Sequence, residues 1–474
     1  MPRPTPLSAP ATLLLLAATA TTSPFAVAQD GQSTFGHARA RELAELGLLP
    51  SARDVVVRDL LNYHRHRLPL PTAGQDLALD LRFDRASARP GDELWLQVGY
   101  TTAPLGDRAL APACAVALVV DCSGSMAEAN KMTAVQQGLH AFVDRLRSDD
   151  EVTLVTFASE AQICAPRQRR GDGRWLHTAI DQLQPGGNTN LHAGLMRGLD
   201  ELGRGDGPSQ RRMLVLTDGI ANRGVTDADA IVAAVQPLAS PSRGGALDIA
   251  AIGVGQDLDV PLLQRLAAGA RGLFHFVADP QDVQKVFVRE ADSLVAPVAR
   301  SVRLRIELPH GLAVQQVPHE GVVVHGRRLD VELPDLNAGV TGVVLVRCRR
   351  TDSGEAPDAA RAELRFDSVR TAGASQLTAN AELPTATSRS DVGAAIDVEV
   401  RKNAAIAGLA QGLADMAAAA DGKRWADADR TLRLAVADAQ RLFPGQDDDV
   451  QRVRTIADGH LTTLRRYVDR FREL

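Results

Sequence analysis

Two kinds of hydrophobic pattern divide the chain. Residues 76–101 alternate apolar and polar positions around a turn at 89–92, which predicts two strands that each bury one face. Residues 115–295 instead contain nearly continuous apolar runs separated by amphipathic segments. This second pattern is typical of a parallel sheet covered by helices on both faces. From residue 391 onward apolar residues recur every three or four positions, which predicts helices.

Predicted strands and helices alternate through the central α/β region. The strands are expected at residues 115–120, 151–157, 161–164, 212–216, 247–255 and 272–276. The helices are expected at residues 131–147, 175–183, 191–202, 227–235, 261–267 and 280–295. In such sheets, ligands bind beyond the carboxyl ends of the strands, so polar residues that follow the strands are the candidates for a functional site.

The alternating pattern returns after the α/β region. It recurs at residues 302–306, 322–324, 329–333, 340–346 and 362–366. Because an isolated hairpin is only marginally stable in water, the two strands of residues 76–101 need partners. We therefore expect one β-sandwich that is split in the sequence, with the α/β domain inserted between its halves. The alternative is two separate β elements.

The N-terminus predicts export. Residues 1–28 have a basic Arg3, an apolar core at 13–20 and the small-residue end Ala26-Val27-Ala28, which together indicate a secretory signal peptide. An uncut anchor is disfavoured because the apolar run is too short to span a bilayer. We expect an exported mature chain without a transmembrane segment, located in the periplasm, secreted or at the cell surface.

The remaining sequence divides into six segments. They are an N-terminal helical or extended segment (29–75), the first part of the sandwich (76–112), the α/β domain (113–296), the second part of the sandwich (297–370), a linker rich in Thr, Ser, Ala and Pro (371–390) and a helical C-terminal domain (391–474).

Composition narrows the function classes. The formal net charge of −5 argues against a general nucleic-acid binder, which would normally have a basic face. The four cysteines, Cys114, Cys122, Cys164 and Cys348, permit three full disulfide connectivities without selecting one. Cys114 and Cys164 would pair if the ends of their strands meet, whereas Cys122 is expected to pack inward.

Oxygen-bearing side chains follow two predicted strands and open one helix. Asp121, Ser123 and Ser125 follow the first strand, Thr189 lies in a glycine-rich loop before a helix, and Asp218 ends a later strand. Carboxylates with hydroxyls form a hard oxygen ligand set suited to Mg²⁺ or Mn²⁺. A lone Asp-x-Ser-x-Ser would indicate no more than a solvated turn, but three such elements in order favour one metal site.

These three elements resemble the metal-ion-dependent adhesion site of von Willebrand factor A (VWA) domains of exported bacterial proteins. The resemblance spans roughly residues 113–295. It implies a doubly wound, mostly parallel sheet with helices on both faces, here flanked by a β-sandwich and a C-terminal helical region. It also implies that Ser123, Ser125 and Thr189 contact the ion directly or nearly so, and that Asp121 and Asp218 ligate it directly or through water. One position would remain for a partner's carboxylate.

The sequence thus predicts a non-enzymatic protein that uses a divalent cation to hold an acidic group of a protein or peptide partner. One alternative is a metal-dependent hydrolase, disfavoured because we identify no histidine or lysine beside the two serines that would act as a base. The other alternative is a scaffold that binds partners through its helical tail, residues 391–474.

Overall fold

The fold is described from a computed structural model. The described residues are 35–104, 113–204, 210–239, 247–255, 257–270, 272–277, 279, 282–294, 297–351, 359–371, 373–384 and 396–472. The predicted signal peptide, residues 1–28, lies outside them, as do residues 385–390 of the predicted linker.

Helices and strands are numbered here in chain order. The chain begins with α1 (Phe35–Glu45), α2 (Val57–Leu61), β1 (Leu77–Phe83) and β2 (Glu93–Thr102). The α/β domain contains β3 (Cys114–Asp121), α3 (Lys131–Arg145), β4 (Glu151–Phe157), β5 (Ala161–Arg169), α4 (Arg174–Asp181), α5 (Leu191–Gly203), β6 (Gln210–Thr217), α6 (Ala228–Ala239), β7 (Leu247–Val254), α7 (Val260–Gly269), β8 (Phe274–Val277) and α8 (Val283–Leu294). After it come β9 (Pro297–Glu307), β10 (Leu312–Gln316), β11 (Val322–His325), β12 (Arg328–Glu332), β13 (Leu336–Asn337), β14 (Thr341–Arg350), β15 (Ala360–Ser368) and β16 (Gly373–Ala381). Three long helices end the chain: α9 (Val398–Asp421), α10 (Trp425–Leu442) and α11 (Asp448–Arg472).

The α/β domain is built on a doubly wound sheet with the strand order β5-β4-β3-β6-β7-β8. All neighbours run parallel except β5, which is antiparallel to β4. Every residue of β3 is buried, because alternate side chains enter two different cores. Val116 and Leu118 pack under α3, α4 and α8, whereas Ala117 and Val119 pack under α5, α6 and α7. This arrangement confirms the predicted fold class.

Two glycines set the distance between α5 and the sheet. A Cβ at Gly194 would lie 2.5 Å from the ring of Phe157, and one at Gly198 would lie 2.6 Å from the side chain of Val119. Glycine at both positions therefore allows the helix backbone to approach the strands closely. Because the loop with Thr189 leads into α5, this approach also places that threonine at the edge of the sheet.

The flanking β region consists of two sheets that share one core. One sheet has the order β1-β2-β14-β10, and the other has the order β11-β12-β9-β15-β16 with β13 paired to β9. Strand β2 pairs with β14, so strands from before and after the α/β domain join in one sheet. Buried side chains of both sheets, such as Val98, Val344 and Leu304, form a common cluster.

The predicted linker is wrong in part. Residues 373–381 form β16, an edge strand that pairs along its whole length with β15. Its alternate residues Ser375, Leu377 and Ala379 are half-buried, and the residues between them are exposed. Small and polar side chains suit an edge strand with one solvated face, and the pairing with β15 supplies the hydrogen bonds that composition alone does not indicate.

The N-terminal segment joins the other parts of the molecule. Helices α1 and α2 contribute Ala40, Leu60 and Leu61 to the hydrophobic core of α9, α10 and α11. Phe35 at the start of α1 packs instead on the α/β domain, with its ring centroid 4.9 Å from that of Phe274. Among the helices of the described residues, none combines the length and apolarity needed to cross a membrane.

Candidate metal site at the carboxyl edge of the sheet

The predicted ligands meet where the winding of the sheet reverses. Strands β3 and β6 are neighbours at the centre of the sheet, and the chain proceeds from them toward opposite edges. Asp121 ends β3, and Asp218 directly follows β6. In open α/β sheets the loops diverge at this point and leave a crevice in which ligands bind.

Asp121 is fully buried and held in one orientation. Its Oδ1 accepts the Ser123 backbone N–H at 2.7 Å, and its Oδ2 accepts the Thr217 hydroxyl at 2.6 Å. Burial raises the pKa of this carboxyl to about 6, although both hydrogen bonds act in the opposite direction. A carboxylate kept in place but poorly solvated has much to gain from a nearby cation.

Ser125 links the first loop to Asp218. Its Oγ donates to Asp218 Oδ1 at 2.7 Å and lies 3.1 Å from the Ser123 Oγ. Neighbouring ligand oxygens of an octahedral Mg²⁺ are about 3.0 Å apart, because each lies about 2.1 Å from the ion. The spacing of these three side chains therefore fits one small hard cation.

Thr189 faces the same space from the third loop. A Cβ built on Gly219 would lie 3.7 Å from Thr189 Oγ1 and 3.9 Å from Ser125 Oγ, so both hydroxyls border the space above this glycine. The Thr189 backbone is tied to Asn222, whose Oδ1 accepts the threonine N–H at 2.8 Å and whose own N–H donates to the threonine carbonyl at 3.0 Å. All five predicted ligands thus lie around one place.

Backbone hydrogen bonds hold the first two loops together. The Gly124 N–H donates to the Gly187 carbonyl at 3.0 Å, and the Gly186 N–H donates to the Cys122 carbonyl at 2.7 Å. Cys122 itself is buried in the core beneath α3, as predicted, and burial raises the pKa of its thiol to about 12.

Sequence reasoning missed Lys131. Its Nζ lies 2.6 Å from Asp218 Oδ2 and 3.5 Å from the Ser125 carbonyl oxygen. The expectation that no lysine stands beside the serines is therefore wrong. The sequence clue to this contact is the position of Lys131 six residues after Ser125, at the start of α3.

The condition for a Cys114–Cys164 disulfide, that the ends of their strands meet, is not fulfilled. All four cysteines are free thiols. Cys114 begins β3 and Cys164 lies on β5, and β4 separates these two strands in the sheet.

The site differs from a closed metal cage. Within the described ranges, no three or more His, Cys, Asp or Glu residues are grouped so that they would hold an ion. The candidate site instead combines two carboxylates with three hydroxyls, which leaves further coordination positions for water or a partner. A cavity of about 370 Å³ lies elsewhere, between the sandwich residue Trp95 and the helices α9 and α10.

Comparison with known proteins agrees with the fold of the α/β domain. Residues 115–289 match the von Willebrand factor type A domain family. The chain contains a VWA domain. The solved structure of a von Willebrand factor type A protein from Catenulispora acidiphila has the same fold, with a TM-score of 0.52 and 15% identity, over 82% of this chain and 99% of that one.

Sequence similarity to other proteins extends beyond the VWA domain. The uncharacterized protein YfbK of Escherichia coli (strain K12) is 25% identical over 333 residues, which are 66% of this chain and 57% of that protein. Inter-alpha-trypsin inhibitor heavy chain H1 of Sus scrofa is 28% identical over 240 residues, 48% of this chain and 26% of that protein. The match thus spans little more than half of the first relative and about a quarter of the second.

Proposed function

We propose that the VWA domain binds one Mg²⁺ or Mn²⁺ ion through Asp121, Ser123, Ser125, Thr189 and Asp218, and that the ion holds an acidic side chain of a protein partner. The convergence of three separate loops on one place is the observation that carries the proposal. Without a metal ion, two carboxylates share this crevice. The burial of Asp121 then disfavours its charged form, and a metal ion would relieve that cost.

The charge balance supports an acidic partner. Asp121 and Asp218 are accompanied by the ammonium of Lys131, so the three side chains together carry one net negative charge. A divalent cation changes this to one net positive charge. Because Mg²⁺ keeps exchangeable water ligands, a carboxylate of the partner can replace a water and neutralise the site.

Binding explains the serines better than catalysis does. Their hydroxyls are directed at each other and at Asp218, while Lys131 bonds to Asp218 and not to a serine hydroxyl. The base within hydrogen-bond reach of the Ser125 hydroxyl is the Asp218 carboxylate, and the proposal assigns that carboxylate to the metal ion instead of to proton abstraction. We therefore propose a non-enzymatic adhesion or protein-binding role.

Titration calorimetry with Mg²⁺ and Mn²⁺ tests the metal site directly. Wild-type protein is expected to bind one ion per chain, and Asp218→Ala is expected to abolish the heat. Asp200→Ala, at an exposed position of α5, is the matched control and should bind as the wild type does. Wild-type-like binding by Asp218→Ala would overturn the assignment, provided that circular dichroism shows both variants folded.

Pull-down from an envelope extract tests the partner. The wild-type protein should retain a protein in Mg²⁺ and release it in EDTA, and Asp218→Ala should retain none under either condition. Capture that persists in EDTA would reject metal-dependent binding. Cell fractionation with antibody detection tests the proposed export, since a cytoplasmic location would exclude an envelope partner.

A further inference from the structure

A second cluster of metal-binding side-chain types lies near the opposite end of α3. His140 and Asp144 occupy consecutive turns of α3, and His177 and Asp181 do the same on α4. The two imidazole rings are nearly parallel and meet edge to edge, with centroids 5.0 Å apart and an interplanar angle of 21°. Their Nδ1 atoms face each other at 2.7 Å.

The outer nitrogen of each ring contacts the aspartate of the other helix. His140 Nε2 lies 3.0 Å from Asp181 Oδ1, and His177 Nε2 lies 3.2 Å from Asp144 Oδ1. A carboxylate only accepts hydrogen bonds, so each Nε2 must carry the hydrogen. In neutral rings both Nδ1 atoms are then lone-pair acceptors that face each other, and a cation between them, either a proton or a metal ion, relieves this contact.

We propose that His140 Nδ1 and His177 Nδ1 bind one divalent transition-metal ion of the zinc, nickel or copper type. Imidazole nitrogen suits these ions, whereas Mg²⁺ prefers oxygen. A ligating histidine commonly donates its other ring N–H to a carboxylate, which fixes the ring and raises its basicity. Asp181 and Asp144 stand in that position for the two rings.

Binding requires the two rings to move apart and to turn. Two nitrogens on a tetrahedral Zn²⁺ are about 3.3 Å apart, because each lies about 2.0 Å from the metal. The rings must therefore separate by a fraction of an ångström and also turn, because the two nitrogens now meet head-on and a tetrahedral ion takes its ligands at about 109° to each other. Both imidazoles are partly exposed, at 30% and 27%, so an ion and its water ligands have access from solvent.

This site is independent of the proposed Mg²⁺ site. Lys131, beside Asp218, begins α3, and His140 follows nine residues later, about 13 Å along the helix axis. Its two donor atoms are nitrogens on two helices, whereas the edge site presents oxygens on three loops. An ion bound here would link α3 to α4 and stabilise the folded state by mass action.

Copper titration monitored by electron paramagnetic resonance tests the proposal on full-length protein without an added histidine tag. The spectrum is expected to show two nitrogen donors at one Cu²⁺ per chain. Asp218→Ala should keep this signal, which separates the result from the fate of the edge site. His177→Ala should lose it, and His325→Ala, at an exposed strand position, serves as the matched control.

Zinc-dependent thermal stabilisation provides the second measurement. Zn²⁺ should raise the melting temperature of the wild type and of His325→Ala, and it should not raise that of His140→Ala. Asp144→Asn and Asp181→Asn should each weaken Zn²⁺ binding by 10- to 100-fold, roughly the usual cost of losing an outer-shell partner. Unchanged copper or zinc binding in the His177→Ala and His140→Ala variants, or no binding by the wild type, would overturn the assignment.

Discussion

Polar side chains are buried both at the edge of the VWA sheet and at the junction where the N-terminal segment meets β14 and the C-terminal helices. The two regions bury them in different ways. At the junction, Asn62 Oδ1 accepts the Val343 N–H at 2.8 Å and the ring of His66 lies 2.9 Å from the same oxygen. At the sheet edge, oxygens from three loops converge on one place. Convergence, and not burial, therefore distinguishes the candidate site from structural polar contacts.

Charges at the junction are likewise matched by local partners. Buried Lys402 lies 3.2 Å from Glu399 and 3.4 Å from Asp449. The guanidinium of Arg452 stacks over the ring of Tyr63 at 4.6 Å. The Lys402–Asp449 contact joins α9 to α11, and the Arg452–Tyr63 contact joins α11 to the N-terminal segment. Asp121 at the sheet edge, in contrast, has hydrogen bonds but no directly bonded cation.

Burial shifts the pKa values of the two regions in opposite directions. It raises the pKa of Asp121 to about 6, and it lowers the pKa of His66 to about 3, with Lys402 adding to the effect. Burial favours the neutral form in both cases. As the pH falls, Asp121 therefore contributes more to the stability of the folded state and His66 contributes less.

The largest expected effect is at the junction. Asn62→Ala should lower the free energy of unfolding by about 3 kcal/mol, because it leaves the buried N–H and carbonyl of Val343 without their side-chain partner. Urea unfolding measures the change. Asn380→Ala, at an exposed position of β16, should stay within about 0.5 kcal/mol of the wild type. Equal losses in both variants would contradict the structural role of Asn62.

At the sheet edge, by contrast, removing a charge should stabilise the protein. Asp121→Asn should raise the free energy of unfolding at pH 7 in EDTA by about 2 kcal/mol while abolishing Mg²⁺ binding. The asparagine Oδ1 can still accept from Ser123, and its amide can donate to Thr217, whose hydroxyl has the Gly219 carbonyl at 3.4 Å as an acceptor.

The pH dependence of that gain identifies its cause. Between pH 3.8 and about 6 the folded wild type retains a proton that the unfolded chain has released, so its stability falls as the pH rises through this window. The advantage of Asp121→Asn should therefore disappear below about pH 3.8. A gain that is equal at pH 3.5 and pH 7 would show another origin.

Acid should weaken the junction. Between pH 6.5 and about 3 the unfolded chain binds a proton that folded His66 does not, so stability falls as the pH falls, by at most about 1.4 kcal/mol per pH unit for this group. Hydrogen exchange at pH 5 and pH 7.5 should locate the loss in α9 and α11. His66→Gln should reduce the slope, and an unchanged slope would contradict the assignment.

The smallest effect concerns Lys131. Lys131→Met should increase Mg²⁺ affinity several-fold, because it removes a positive charge 2.6 Å from Asp218, and should weaken capture of the acidic partner. Lys131→Arg keeps the charge and is the control. Calorimetry measures the Mg²⁺ affinity, and the envelope pull-down measures capture of the partner. If Lys131→Met raised both, or lowered both, the charge argument would be rejected.

Much of the fold follows from local sequence. Strand β4 has the predicted bounds 151–157, because a short segment rich in β-branched and apolar residues between turns favours a strand. The five candidate ligands were predictable because parallel strands must end at a common edge, whatever their order. Residues 373–381 were mistaken for a linker because an edge strand of small and polar residues is stabilised mainly by its neighbour β15.

Sequence by itself therefore determined the domain types and the residues that reach the sheet edge, since hydrophobic periodicity and strand direction are local properties. Only the tertiary structure decided that Lys131 bonds to Asp218, that His140 faces His177, and that the four cysteines stay unpaired. Each of these depends on the position of one packed element relative to another. Such positions arise from contacts between residues far apart in the chain, and no local pattern of side chains encodes them.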